Sequence, residues 1–175
     1  MHHNVPTVYD LGLMLFRDNI ARSGRVKDRL LKMILSLIQK ERTGEVINRG
    51  LLKNVTQMLI DLGVNSRTVY EEDFEKHFLE TTATFYRVES QEFIASNSAS
   101  DYMRKVSGRI KEEMERVAYY LDASTEPKLK AVVEKELIAS HMKTLIEVHY
   151  FFLLIFFRHC FFFPPPPNIT LRPHK

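Results

Sequence analysis

Cysteine is almost absent from this 175-residue chain. The single Cys160 excludes an internal disulfide and a thiolate-rich metal cluster, and it points to a reducing compartment. Charge of one sign is also lacking. Twenty-five Lys and Arg stand against 22 Asp and Glu, a formal net charge of +3 spread over both signs, which argues against a nucleic-acid partner. The start, Met1-His2-His3, has no basic stretch, apolar core and small-residue cleavage site of a secretory leader, so an intracellular protein, in cytoplasm or nucleus, is expected. No Gly-rich phosphate loop occurs. The longest apolar run, Tyr150 to Phe157, is too short for the ~30 Å hydrocarbon core of a bilayer and is interrupted by Arg158-His159; no membrane association is expected.

What is present is helical periodicity. With 45% hydrophobic and 27% charged residues, the chain has the composition of one cored domain. Tyr9, Leu13, Phe16 and Ile20 define a short first helix, with Thr7 as N-cap and Gly24 as stop. Val26, Leu30, Met33, Ile34, Leu37 and Ile38 give a second, ended by Thr43-Gly44. Asn48 caps a third whose stripe is Leu51, Val55, Met58 and Leu62, with Gly63 supplying a permissive C-cap. A fourth runs from Glu71 to Ala95, with an aromatic inner face of Phe74, Phe78, Phe85 and Phe93, and Leu79 and Tyr86 beside them. Ser98 or Ser100 opens a fifth, whose seam of Tyr102, Val106, Ile110, Met114, Val117 and Leu121 extends for about 30 Å. A sixth begins with Thr125 as N-cap, Glu126 in the first turn and Pro127 near N1, followed by Leu129, Val132, Val133 and Leu137. No strand pattern precedes Val148. The fold class is therefore all-α.

Opposite charges four apart, Asp28 with Lys32, Glu72 with Lys76, Asp101 with Lys105, Arg109 with Glu113 and Glu112 with Arg116, read as solvated helix faces. Catalysis finds no candidate residues. His2 and His3 lack carboxylate or thiolate partners at ligand spacing, and His77 and His141 lack the spacing of a zinc hydrolase. Glu71, Glu72 and Asp73 stand at an expected helix start, where the dipole accounts for them. Cys160 and His159 are sequence neighbours with no fold shown to orient them as nucleophile and base. No catalytic, cofactor-binding or metal site is assigned, and no cofactor is expected.

The order of motifs from Asn4 to Glu147 closely resembles the amino-terminal arm of the cullin family. Those that carry the likeness are Val8-Tyr9, Leu11-Gly12-Leu13, Phe16-Arg17-Asp18, Glu41-Arg42, Gly44-Glu45-Val46, Val69 to Phe74 and Phe78-Leu79-Glu80. They continue with Glu89-Ser90-Gln91, Asn97 to Ser100, Glu112-Glu113, Glu115-Arg116-Val117, Leu121-Asp122, Ser124-Thr125-Glu126, Glu136-Leu137-Ile138 and His141 to Thr144. The likeness is strongest to the paralogue that recruits BTB-domain adaptors. It implies stacked antiparallel helices of the cullin-repeat kind and a non-catalytic scaffold for a cullin-RING ubiquitin ligase, with BTB adaptors and a RING protein as partners of the parent complex. By the same likeness, the docking regions for both partners fall outside this sequence, and chiefly one repeat is present at 1–147. An independent helical interaction protein or a dominant-negative truncation is the alternative, and a tail-anchored membrane protein a third reading.

Beyond residue 147 the pattern changes. Residues 148–175 form an apolar and Pro-rich tail expected to be disordered or irregular, with Phe and Pro repeated without helical logic. Phe, Leu and Pro all have pyrimidine-only codons, and Val148 is what an in-phase GT splice donor encodes. Translated intron sequence is the expectation, and genomic alignment tests it. Pro164 to Pro167 is only a weak signal of an SH3 or WW ligand, since four prolines lack a fuller motif, and the Asn168-Ile169-Thr170 acceptor has meaning only in the secretory path.

Overall fold

The computed structural model describes residues 6–146. The boundary at 147/148, the tail's character, His2, His3, His159, Cys160, the Tyr150–Phe157 run, Pro164 to Pro167 and Asn168 lie outside them. Two units divide the chain, Met1–Ser140 and His141–Lys175, and the architecture below is that of the first. Among its described residues every regular element is helical.

Helix α1, Val8–Phe16, starts with a reciprocal cap: Thr7 Oγ1 accepts the Asp10 amide at 3.1 Å, and Asp10 accepts that of Thr7 at 3.4 Å. It runs on as a π-helical turn, Arg17–Ala21. The break then falls at Arg22-Ser23, and Gly24 is the first residue of α2, Gly24–Arg42, rather than the stop expected of it. Tyr9, Phe16 and Ile20, read as an inner stripe, are exposed, because no element of the described chain covers that face.

Helix α2 ends where its glycine predicts. Gly44 sits at φ +93°, its amide donates to Glu41 O at 3.0 Å, and the Glu45 amide reaches back to Lys40 O at 2.9 Å. That pair closes a Schellman turn and satisfies two carbonyls the helix leaves open. Asn48 caps α3, Arg49–Asp61, by accepting the Leu51 amide at 3.0 Å. The stripe of α3 is one residue out of phase with expectation over most of its length: Leu52, Thr56 and Leu59 are buried while Leu51 is exposed, and Leu62 is buried as expected. Four apolar residues at 51, 52, 58 and 59 fit either phase, and tertiary contact selects the second. Gly63 does not supply the left-handed cap either; Val64 (φ 43°) and Asn65 (φ 63°) do. Gly63 is required for space, since a Cβ there would meet Ser66 O at 1.9 Å.

The next helix begins earlier than Glu71. It runs as α4, Thr68–Tyr70, a second π-helical turn, Glu71–Glu75, and α5, Lys76–Ser96. Tyr70, Phe74 and Phe78 form an aromatic ladder with centroids 5.4 and 5.5 Å apart. All three are buried, whereas Phe85 and Phe93 are half-buried. Ser98, not Ser100, caps α6, Ala99–Tyr120, accepting the Asp101 amide at 3.1 Å. Helix α7, Thr125–Leu137, has Ser124 at its N-cap position, and Thr125, expected there, is instead a buried first-turn residue. Its hydroxyl is occupied across the core, so the Asp122 carboxylate takes the Ser124 amide instead, at 2.9 Å. Helix α7 lies on α5 and α6, and α6 also on α3.

Candidate functional site: a buried charge lattice

The apolar seams of α2 and α6 contain charged positions. Ile34 and Ile38 are followed four residues later by Arg42, and Val106 and Val117 bracket Glu113 at spacings of seven and four. Both charged side chains therefore share the inward face with the aliphatic ones. Arg42 is 3% exposed and Glu113 is fully enclosed. Placing an ionised group there costs several kcal/mol unless it is matched, so the surroundings must supply partners.

They do. The Glu113 carboxylate accepts Arg42 Nε at 2.8 Å, Arg42 Nη2 at 3.0 Å, Arg116 Nη1 at 2.9 Å and the Tyr86 hydroxyl at 2.6 Å. Arg42 Nη2 also donates to Thr82 Oγ1 at 2.8 Å, and the guanidinium carbon stands 5.4–5.5 Å from the rings of Phe78, Phe85 and Tyr86. Arg116 continues to Glu41 at 3.0 Å, which also takes the Tyr120 hydroxyl at 2.8 Å and the Arg49 guanidinium. Arg109 joins Glu89 on α5 to Glu112 and donates to the carbonyl of Arg42 at the end of α2. One connected set of charges thus links α2, α3, α5 and α6.

A second relay ties α7 to the π turn. The Asp122 amide donates to the Tyr70 hydroxyl at 3.3 Å, Tyr70 to Thr125 at 2.8 Å, and Thr125 to Glu75 at 2.7 Å; Lys128 Nζ meets the same carboxylate at 2.6 Å. Elsewhere Arg87 pairs with Glu136 at 3.3 Å, Thr56 Oγ1 donates to Tyr120 O at 2.6 Å, and the Tyr102 hydroxyl to Leu137 O at 2.6 Å. Among the described residues no buried side-chain polar atom is left without a partner. Such fully satisfied networks fix the register of the helices they join more strictly than apolar contact alone does.

Three of the five pairs that spacing implied give way to other partners. Glu72 binds Arg22, Lys105 binds Glu89, and Glu113 turns away from Arg109 to Arg42 and Arg116; Glu112 and Arg116 do approach, at 3.7 Å. Asp73, read as a helix-start carboxylate, is buried against Arg22 and Lys27, both at 2.7 Å. Burial raises the Glu113 carboxyl, but the Arg42 bonds and charge, Arg116 and Tyr86 outweigh it and hold it below the ordinary range. Glu41 and Asp122 are lowered in the same way, against burial, Glu41 by Tyr120 and Arg49 and Asp122 by Ser124. Burial pushes the Tyr70 and Tyr102 hydroxyls up to about 12.

His77 is partly exposed and 3.6 Å from Glu80, and His141 lies in a 3₁₀ turn, Ala139–His141. Among the described residues no group of three His, Cys, Asp or Glu is placed to hold a metal, and no helix is long and apolar enough to cross a membrane. The open grooves, of about 470–490 Å³, include one floored by Phe85 and Val88 beside Arg42 and one rimmed by Glu41, Arg49 and Arg116. Those two border the lattice.

Residues 1–158 match the family described as the Cullin alpha solenoid domain. The chain belongs to the cullin family. It is 58% identical over 146 residues to Cullin-3 of Dictyostelium discoideum, covering 83% of this chain and 19% of that protein. Against Cullin-3A of Arabidopsis thaliana it is 52% identical over 141 residues (81% and 19%), and against Cullin-4A of Mus musculus 38% over 143 (82% and 18%). This cullin chain is thus of the cullin-3 type and spans about a fifth of the length of the curated relatives it matches. The helical solenoid of the family is the architecture described above, as the motif order implied.

The buried polar networks give this cullin chain a definite pH response. Three carboxyls have folded values below their unfolded ones, so the unfolded chain binds their protons more readily and they contribute stability above about pH 4.5, lost as pH falls. Tyr70 and Tyr102 are raised, so their contribution is complete below about pH 10 and lost as pH rises toward 12. Urea unfolding across this range is expected to show a plateau between those limits. Maximal stability below pH 4 would contradict the assignment.

Proposed function

We propose that this chain forms part of the rigid arm of a cullin-RING ubiquitin ligase and acts as a spacer in ubiquitin-dependent protein degradation. The family match over residues 1–158, with higher identity to Cullin-3 than to Cullin-4A, carries the reading. A spacer of this kind contributes no nucleophile. It holds an adaptor-bound substrate and a RING-bound conjugating enzyme at a set distance and orientation, and such positioning converts a bimolecular transfer into an effectively unimolecular one. A lattice whose members span four helices suits that demand, since its buried charges leave one low-energy register.

In the parent complex the partners are BTB-domain adaptors and a RING protein, in cytoplasm or nucleus, and the arm has no active site of its own. Grafting tests this. The matched stretch of Dictyostelium Cullin-3 is replaced by the corresponding residues of this chain, and ubiquitin transfer to an adaptor-bound substrate is measured beside adaptor and RING binding. Transfer at a rate close to the parent's is the expected result. Lost transfer with both partners still bound would overturn the spacer reading, and so would ubiquitin transfer by this chain with no other protein present.

A further inference from the structure

The first π-helical turn and α1 are held to the helical unit chiefly by one joint. Over Val8–Ala21 only Ala21 is buried, and an open groove of about 480 Å³ separates Tyr9, Asp10 and Leu13 from the turn at Ile60 to Arg67. Arg17 reaches Leu62 O at 3.5 Å, a long contact. The close contacts lie at the end of the segment. Arg22, the last residue before Ser23, places Nε 2.7 Å from Asp73 and Nη2 3.0 Å from Glu72. Lys27, in the first turn of α2, places Nζ 2.7 Å from the other oxygen of Asp73. A single carboxylate grips both sides of the α1–α2 joint.

That carboxylate stands in the second π-helical turn, where Asp73, Phe74 and Glu75 are all buried. Residues two apart in a helical turn point nearly opposite ways, so Asp73 and Glu75 face away from each other with Phe74 between them. Asp73 takes the joint; Glu75 takes Thr125 and Lys128 of α7. The π turn is a two-sided staple, and such turns recur where a helix carries function.

We propose that Asp73 is a positioning residue that sets the angle at which α1 and its π turn leave the helical unit. The consequence for transfer rests on the spacer reading, but the angle itself is a property of this chain alone. Facing Asp73 are Arg22 and Lys27, with Glu72 sharing Arg22. Both cations are about one-third exposed, so the grip weakens in high salt, whereas the enclosed Arg42–Glu113 lattice does not.

Nitroxide labels at Val8→Cys and Val88→Cys, both exposed, in full-length chain carrying Cys160→Ser, report this angle by double electron–electron resonance. Val88→Cys with Met103→Cys serves as a control pair inside the unit. The unsubstituted joint is expected to give one narrow distance distribution. Asp73→Asn is expected to make it roughly twofold broader or to shift its mean, with the control pair and the helical circular dichroism unchanged. Arg22→Met, and high salt on the unsubstituted joint, give the same result to a smaller degree and serve if Asp73→Asn does not fold. A broad distribution at the outset, equal broadening of the control pair, or no change with Arg22→Met and high salt together would overturn the proposal. In the Cullin-3 graft, Asp73→Asn should slow transfer while both partners stay bound. An altered angle with unaltered transfer would keep the hinge and reject the spacer reading.

Discussion

Glu113→Ala lowers the unfolding free energy by about 3–5 kcal/mol, the range for breaking a buried ion pair from one side. For a helical unit of this size that is a fall of roughly 10 °C in Tm. The magnitude follows from what is left behind. Glu113 accepts four donors in a fully enclosed position, and its loss leaves the buried Arg42 guanidinium without a carboxylate, bonded to Thr82 alone, while Arg116 keeps Glu41 and Glu112. Glu113→Gln keeps shape and removes charge, so the difference between the two variants separates packing from electrostatics. A cycle with Arg42→Met should show strong coupling, because the second substitution removes the charge the first one orphaned. Urea and thermal unfolding followed by circular dichroism measure all of these; a loss under about 1 kcal/mol for Glu113→Ala would mean that the carboxylate is not enclosed as described.

The same residues show what the sequence made legible and what it did not. Helix existence follows from periodicity, and caps from local chemistry: Thr7, Asn48, Ser98 and the Thr43-Gly44 stop all act within three or four residues of themselves. Those interactions need no tertiary partner, which is why a linear reading finds them. The phase of α3 does need one, because Leu51 and Leu52 both satisfy a helical spacing and only tertiary contact buries Leu52. The charge lattice is hidden from a linear reading for a related reason. Glu113 has Arg109 and Arg116 within a turn, so a solvated face is the cheapest local explanation, yet its partner Arg42 lies 71 residues away. The available signal was positional: Arg42 extends the Ile34–Ile38 face, and Glu113 interrupts the seam between Val106 and Val117 where another aliphatic would be expected. Two charges of opposite sign that each occupy an inward position in different helices are candidates for one another. The exposure of α1 was likewise out of reach, since an apolar stripe says that a face is sticky and not that this chain covers it.

Phe74→Ala is expected to cost about 3–5 kcal/mol, as large as the loss of the buried carboxylate but for a different reason. The ring is fully buried between Tyr70 and Phe78, at 5.4 and 5.5 Å, so truncation leaves a cavity and removes two aromatic contacts as well as the transfer energy. It also sits between Asp73 and Glu75, whose carboxylates hold the α1–α2 joint on one side and α7 on the other. Relaxation into the cavity is therefore opposed by ion pairs on both flanks, which places the expected value in the upper part of the range for such truncations. Phe16→Ala, at a residue 42% exposed in α1, provides the contrast and should fall within about 0.5 kcal/mol of the parent chain. Denaturant unfolding of the two variants side by side decides between a core centred on the second π turn and one centred on the amino-terminal stripe. If Phe16→Ala proved the costlier change, α1 would have to be packed against something and the aromatic ladder would lose its place as the unit's core.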